Sequence, residues 1–430
     1  MKYLKDLEES QFYSSADISS LQRLRLKSIL IHAYQNVPYY QQAFDCAGIK
    51  VAGIETFPDF LSIPVLTKKN IQENLNKLVA KDLDKKTLIK DKTGGSTASP
   101  INFFYDVDRL DWRKAATTRH DKWAGFDIGI KHAILWGARS DFSGLKKLRN
   151  KIYKFLTTKQ YVLDASSIDN ETLKKFTRDL MLYKPKVLLA YARTLSFYAR
   201  YLEENKITPP SPNSIITSAE LLTDEDRFLI EEVFKTKIYN RYGCREFAVL
   251  ASECEYGNMH INDECYYLEF LRSDGTLCKF GEEGEIVITD LFNTSMPMIR
   301  YKIGDTGMMV DGECKCGRGL RIMKMISGRV TDFLISSSGK YVSGVAVATY
   351  IITNIEGINQ VQFIQNDINS VDVLVVGNSL FDETKTLFEL EVNIKKFLED
   401  THIIIKIVDA IPLTESGKMQ FCINKVSLKN

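Results

Sequence analysis

Lys186–Ala190 (KVLLA) and Ser214–Ala219 (SIITSA) are the stretches on which the reading of this fold turns. Each is a short, unbroken apolar run of the kind a strand buried on both faces shows, and His132–Gly137 (HAILWG) reads the same way. Helical stretches at 170–183 and 223–234 connect such runs, the second opening on the cap-like Thr223-Asp224-Glu225-Asp226. Strand alternating with helix predicts a mostly parallel, layered α/β core between about residues 130 and 290. Glu285–Asp290 (EIVITD) adds a further strand.

Upstream, Leu26, Ile29, Leu30, Ala33 and Val37 recur at helical spacing, and Pro38 is expected to stop that helix. Downstream, from about residue 332, the pattern restarts on a smaller scale. Gln360–Gln365 (QVQFIQ) and Val371–Val376 (VDVLVV) read as paired strands about a turn at Asn366-Asp367. A helix at 382–399 and the strand Ile403–Val408 (IIIKIV) follow. The expectation is a large layered α/β domain over 1–329 and a small, mobile α+β domain over 330–430.

The chain has 430 residues, 44% apolar and 26% charged, which is ordinary globular composition and excludes disorder. Its 57 basic and 55 acidic residues leave a net charge of +2. No broad field recruits nucleic acid or an anionic membrane, so any preference for an anion must be local. The basic stretch 146–154 reads as a solvated helix face. There is no apolar run of about eighteen residues and no apolar signal core at the start. Eight cysteines, some clustered, fit a reducing cytoplasm and a metal role better than a disulfide scaffold.

Thr93-Gly94-Gly95-Ser96-Thr97, inside the run DKTGGSTASP from Asp91 to Pro100, supplies hydroxyls and approachable backbone N–H groups, the chemistry that cradles a phosphate. No Gly-Lys-Ser/Thr follows, so it is not the common nucleotide phosphate loop. Four later motifs accompany it. Asn240–Glu246 (NRYGCRE) combines an aromatic face, a tight-turn glycine and an acid. Arg300–Asp305 (RYKIGD) ends in an acid on a glycine turn, suited to a ribose diol. Gly328–Asp332 (GRVTD) sits where the two modules join. Pro412–Lys418 (PLTESGK) puts a lysine after a flexible glycine.

In this order, TGGSTASP, YGCRE, RYKIGD, GRVTD and SGK resemble the adenylate-forming superfamily of acyl-CoA synthetases, peptide-synthetase adenylation domains and luciferases. Asn36–Ile49 and Phe57–Ile71 look like its compact phenylacetate-CoA ligase branch, and within it the capsular-polysaccharide members. The resemblance covers essentially the whole chain. It implies an ATP-dependent enzyme that turns a carboxylic acid into its acyl-AMP and passes on the acyl group. Thr93, Gly94, Gly95, Ser96 and Thr97 would hold the ATP β- and γ-phosphates. Ser218, Ala219, Glu220 and Tyr242, with Gly243 beside it, would line the adenine. Glu246 would hold Mg²⁺, Asp305 the ribose hydroxyls and Arg329 the ribose or phosphates. Lys418 would approach the α-phosphate and the attacking carboxylate, and Thr331 would be the hinge. Ala98 and Thr331 depart from the residues usual at their positions.

The acid pocket is expected near His120, Trp136, Arg139, Tyr191 and Arg193. Arg119, Arg139 and Arg193 either meet an anionic or sugar-nucleotide substrate or are ion-paired. The resemblance points to an amide formed on a glycan precursor, joining a uronic acid to an amine. The competing readings are an aryl- or acyl-CoA ligase, with coenzyme A as acceptor, and a non-catalytic nucleotide-binding partner. Finally, Cys254, His260, Cys314 and Cys316 are expected to form a closed Cys₃His structural zinc site, with Cys265 as spare ligand. Cys46, Cys278 and Cys422 read as small core residues.

Overall fold

A computed structural model describes residues 2–54, 60–93, 101–136, 159–164, 167–168, 170–327, 333–338, 340–411 and 420–426. They form two compact units. One is built from 2–93, 101–123 and 241–327, the other from 124–136, the described parts of 159–240, and 333–426.

The second unit carries the predicted parallel strands. His132–Trp136 lies between Gln160–Asp164 and Val187–Tyr191, and the order continues through Ser214–Ser218 to Ile238–Asn240, every pair parallel. The helices Asn170–Tyr183, Ala192–Glu204 and Asp224–Phe234 supply the connections. Leu173, Leu180, Leu188, Leu195, Tyr198, Ile215 and Phe234 make their common core. Thr223 caps the last helix by accepting the Asp226 N–H, and Asp224, Glu225 and Asp226 put negative charge at its positive end.

The later part of this unit has its own core around Val361, Phe363, Val373, Leu390 and Ile394. Ile358–Asp367 and Ser370–Gly377 pair antiparallel. His402–Ile407 and Cys422–Asn424 flank them in parallel, and Gly344–Asn354 and Glu383–Leu398 are the helices. The hairpin turns at Ile368-Asn369, two residues beyond the expected place. Asp367 already pairs with Ser370, and its carboxylate accepts the Asn369 N–H at 2.8 Å, so the aspartate serves as the turn's anchor.

The first unit differs from the parallel expectation. Its strands run in the order Tyr266–Leu271, Gly284–Asp290, Tyr301–Val310, Ile322–Ser327, Met259–Ile261, Ala248–Glu253 and Arg241–Cys244, and every pair is antiparallel. Three of the six connections between them are only three to five residues long, and none of the six holds a crossover helix. Ser15–Asn36 is the long helix expected upstream, burying Leu26, Ile29, Leu30 and Ala33. Pro38 does more than stop it. It occupies the first turn of a new helix, Pro38–Cys46, where a missing N–H costs nothing. Among the described residues no helix is long and apolar enough to cross a membrane.

Candidate functional site

In the first unit, Tyr242 and Gly243 lie on the strand Ile238–Cys244, and Glu246 sits in the turn before Ala248–Glu253. Gly243 is required for a reason other than a tight turn. Any Cβ there would lie 2.3 Å from the Ala248 carbonyl oxygen, so only glycine lets the two strands approach. The glycine before Asp305 likewise belongs to no loop. Gly304, at φ +90°, forms a bulge inside the strand Tyr301–Val310, where the register to Gly284–Asp290 shifts. The bulge lifts Asp305 out of the ladder, and the Tyr242 hydroxyl donates to Asp305 Oδ2 at 2.9 Å.

Glu246 and Asp305 share neighbours. Burial first, then the Glu246 carboxylate and more weakly Asp305, push the Cys244 thiol well above its ordinary range. The same two acids act on buried Tyr301, whose phenol is pushed up by desolvation and by Glu246. Two carboxylates are thus gathered beside two groups kept protonated, and protonated groups only donate to them. Neither Cys244 nor Tyr301 was assigned a role from the sequence. The available signal was position, since Cys244 stands two residues before Glu246 and Tyr301 is the second residue of the motif that ends in Asp305.

Thr93 follows the hairpin strand Ile89–Lys92. Its N–H donates to the Ile101 carbonyl at 3.0 Å, and its hydroxyl accepts the Ile101 N–H at 2.9 Å, closing the base of the glycine-rich run. Gly94, Gly95, Ser96, Thr97, Arg139, Arg329, Thr331 and Lys418 lie outside the described residues, as does the basic stretch 146–154.

In the second unit, Ser218 ends its strand, and Ala219 follows at φ +70°, a backbone conformation that costs a residue with a Cβ. Glu220 accepts the backbone N–H of Arg193 at 2.8 Å. The Arg193 guanidinium is ion-paired with buried Asp226 at 3.3 Å, and Asp226 also accepts the Ser196 hydroxyl at 2.6 Å. The Trp136 and Tyr191 rings meet with centroids 4.1 Å apart.

His120 is in the first unit, buried against Trp123 at 4.3 Å between ring centroids. Desolvation drives its imidazole well below the ordinary range, and neighbouring Arg119 adds to this. Arg119 is buried and ion-paired. It donates to Glu264 at 2.9 Å, to Asn262 at 3.0 Å and to the Leu7 carbonyl at 3.2 Å, so its charge is matched within the fold, and only its buried Nε has no hydrogen-bond partner among the described residues.

Cys254, His260, Cys314 and Cys316 converge from two hairpins, with their ligand atoms all within 4.8 Å of one another. Cys254 and Cys314 Sγ are 3.6 Å apart, and Cys316 Sγ is 3.3 Å from His260 Nε2. A tetrahedral zinc with bonds of about 2.3 Å to sulfur and about 2.0 Å to nitrogen sets ligand edges of roughly 3.5–3.8 Å, so the donor set fits. His260 Nδ1 lies 2.9 Å from the Leu320 carbonyl, which directs Nε2 inward, and burial keeps the ring neutral. Burial also opposes a thiolate at Cys314. The backbone of Cys316 and the Asn258 amide outweigh that, and the thiol ends below its ordinary range. Buried Cys265 is not among these ligands.

The cluster anchors the N-terminal segment. Gln11 accepts from Trp123 at 2.8 Å and from Arg318 at 3.2 Å, and the Gly319 N–H donates to the Gln11 carbonyl at 3.0 Å. A Cβ at Gly319 would lie 2.0 Å from the Tyr13 carbonyl oxygen. Gly319→Ala is therefore expected to cost about 1–3 kcal/mol in thermal unfolding, the usual penalty for overpacking against backbone. An unchanged midpoint would show that the segment shifts freely.

Residues 334–425 match the family model described as CapK C-terminal domain. The chain is 27% identical over 419 residues, 95% of its own length and 90% of the relative's, to Protein CapK of Staphylococcus aureus. It is 25% identical over 349 residues, 76% of its own length and 75% of the relative's, to the phenylacetate-coenzyme A ligase of Escherichia coli K12. In fold it is similar to a 2-hydroxyisobutyryl-CoA ligase solved with 2-HIB-AMP and CoA. There the TM-score is 0.64 at 17% identity, covering 96% of this chain and 91% of that one. In fold and in relatives the chain is thus similar to adenylate-forming ligases, the phenylacetate-coenzyme A ligases among them. The similarity to Protein CapK spans almost its entire length.

Proposed function

We propose that the chain is an ATP-dependent, AMP-forming ligase that joins an activated carboxylic acid to an amine during synthesis of a capsule or O-antigen polysaccharide precursor. The observation that carries the nucleotide reading is the cluster of Tyr242, Glu246 and Asp305, tied by the 2.9 Å bond between Tyr242 and Asp305. The polysaccharide assignment draws on the similarity to Protein CapK, and a uronic acid is the proposed substrate. Coenzyme A is the second acceptor to weigh, because relatives over about three quarters of the chain are named phenylacetate-coenzyme A ligases.

In the first step a carboxylate oxygen attacks the α-phosphorus of ATP. The bond from that phosphorus to the bridging oxygen breaks, and pyrophosphate leaves. Two anions must meet, and Lys418 is the cation proposed to offset their charge. Asp305 accepts from the ribose hydroxyls, the Tyr242 face receives the adenine, and the Ser218–Glu220 segment is assigned to the adenine as well. Glu246 is proposed to hold magnesium, which when bound would neutralise phosphate charge. In the second step the amine nitrogen, or a thiol, attacks the acyl carbon and AMP departs. The Cys₃His cluster is proposed to hold a structural zinc.

Acid-dependent exchange of pyrophosphate into ATP tests this reading, with uronic, aryl and aliphatic acids offered in turn and hydroxylamine as trap. Lys418→Ala is expected to lower exchange about 10²- to 10³-fold, the range for a lost charge-stabilising group. Repeating the assay with amines and with coenzyme A separates the two acceptors. If ATP binds but no acid supports exchange, the chain is a non-catalytic nucleotide-binding partner.

A further inference from the structure

We infer that Tyr242 is a positioning residue whose hydroxyl aims the Asp305 carboxylate at the nucleotide ribose, making the chain selective for ribonucleotides over 2′-deoxyribonucleotides. The inference rests on the proposed role of Asp305. Its physical basis is that both ends of the 2.9 Å bond are rigidly carried. Tyr242 precedes Gly243, whose strand is pressed so closely on the Ala248 carbonyl that no side chain fits. Asp305 follows Gly304, held at φ +90° in a bulge. Asp305 stands at the bulge, outside the register pairs of its strand. The phenol holds its carboxylate from another strand of the same unit, and a bond from a neutral donor to a charged acceptor is stronger than one between neutral groups. The ring face and the hydroxyl edge of tyrosine are separate tools. A ring stacking on adenine needs no hydroxyl, so the hydroxyl's partner identifies what it does.

Tyr242→Phe keeps the ring and removes only the bond. The measurement is the ratio of kcat/KM for ATP and 2′-deoxyATP in pyrophosphate exchange. Dissociation constants for both nucleotides by calorimetry provide a readout independent of turnover. The wild type is expected to favour ATP, and Tyr242→Phe to reduce that preference about five- to twentyfold, while the preference for ATP over GTP stays unchanged. Asp305→Asn is expected to lose the ribose preference, and the double variant to match it. Retained preference in Tyr242→Phe alongside lost preference in Asp305→Asn overturns the inference and leaves the nucleotide reading standing. Retained preference in Asp305→Asn removes the ribose role of Asp305, and the inference with it. A wild type that does not distinguish the two nucleotides overturns it as well. If Tyr242→Phe lowers the unfolding temperature, Tyr242→Trp, an aromatic platform without a phenol, replaces it in the same comparison.

Discussion

Protein purified without chelator is expected to carry about one zinc per chain, and stripping that ion should lower its unfolding temperature on the order of 10 °C. The donor set is the reason. Three sulfurs and one imidazole nitrogen lie within 4.8 Å of one another, and all of Cys254, His260 and Cys314 are buried. Without a cation, closely packed thiols gain little from each other, and each thiolate formed there repels the next. Burial pushes the Cys254 thiol up to about 12, the behaviour of a sulfur with no positive charge to face. Structural zinc contributes about 10–16 kcal/mol in isolated zinc-finger peptides. Here the antiparallel sheet has its own apolar core, so only part of that should appear, about 3–5 kcal/mol. In a unit of this size that amounts to roughly 10 °C. Cys314→Ser and His260→Ala should each lose the metal by elemental analysis. Trp123 gives an optical readout, since its ring stands 5.9 Å from that of His260 and 4.5 Å from the Arg318 guanidinium. Metal-free protein with unchanged melting would sink the zinc assignment.

The convergence of the three cysteines and the histidine was legible in the sequence because it is a matter of residue type and spacing. Four soft ligands in two short runs, Cys254–His260 and Cys314–Cys316, need only two hairpins to meet. The parallel strands of the second unit were legible for a similar reason, since unbroken apolar runs alternating with helices have few other solutions. What escaped was information held in long-range pairing. Gly284–Asp290 reads as a strand from its own residues, but its antiparallel neighbours lie on either side in sequence and no local pattern states their direction. Gly243 and Gly304 look alike as punctuation. One is demanded by a facing backbone oxygen and the other by a positive φ, and only three-dimensional packing separates those causes. The commitment of Arg119 to Glu264 was equally hidden, because 145 residues separate the partners. The arginine of the RYKIGD motif belongs with these.

Arg300→Met is expected to destabilise the first unit by about 3–5 kcal/mol at pH 8 and by less near pH 5.5, the range for breaking one side of a buried ion pair. Arg300 and Glu269 are almost wholly buried, with Arg300 Nη2 2.8 Å from Glu269 Oε1. Arg300 also donates to the Leu61 carbonyl at 2.6 Å and sits at φ +52°, so the pair holds a strained backbone at the entry to the strand that carries Asp305. Burial pushes the Glu269 carboxyl up, and Arg300, first by its charge and then by hydrogen bonding, pulls it partway back. Removing the guanidinium removes the downward pull and leaves the folded-state carboxyl raised further above its unfolded value. For an acid shifted in that direction, the unfolded chain releases the proton more readily than the folded one. Folding is therefore penalised increasingly as pH rises above the unfolded value, and the penalty fades as pH falls towards it. The complementary variant, Glu269→Gln, leaves a guanidinium that cannot give up its proton, so its cost should be nearly the same at both pH values. Urea unfolding followed by Trp112 and Trp123, both in this unit, gives the comparison. In Arg300→Met/Glu269→Gln no charge is stranded, and the loss should fall well short of the sum of the single losses. Additive losses, or equal costs of Arg300→Met at the two pH values, would mean that the pair is not coupled and that the motif's arginine serves the backbone alone.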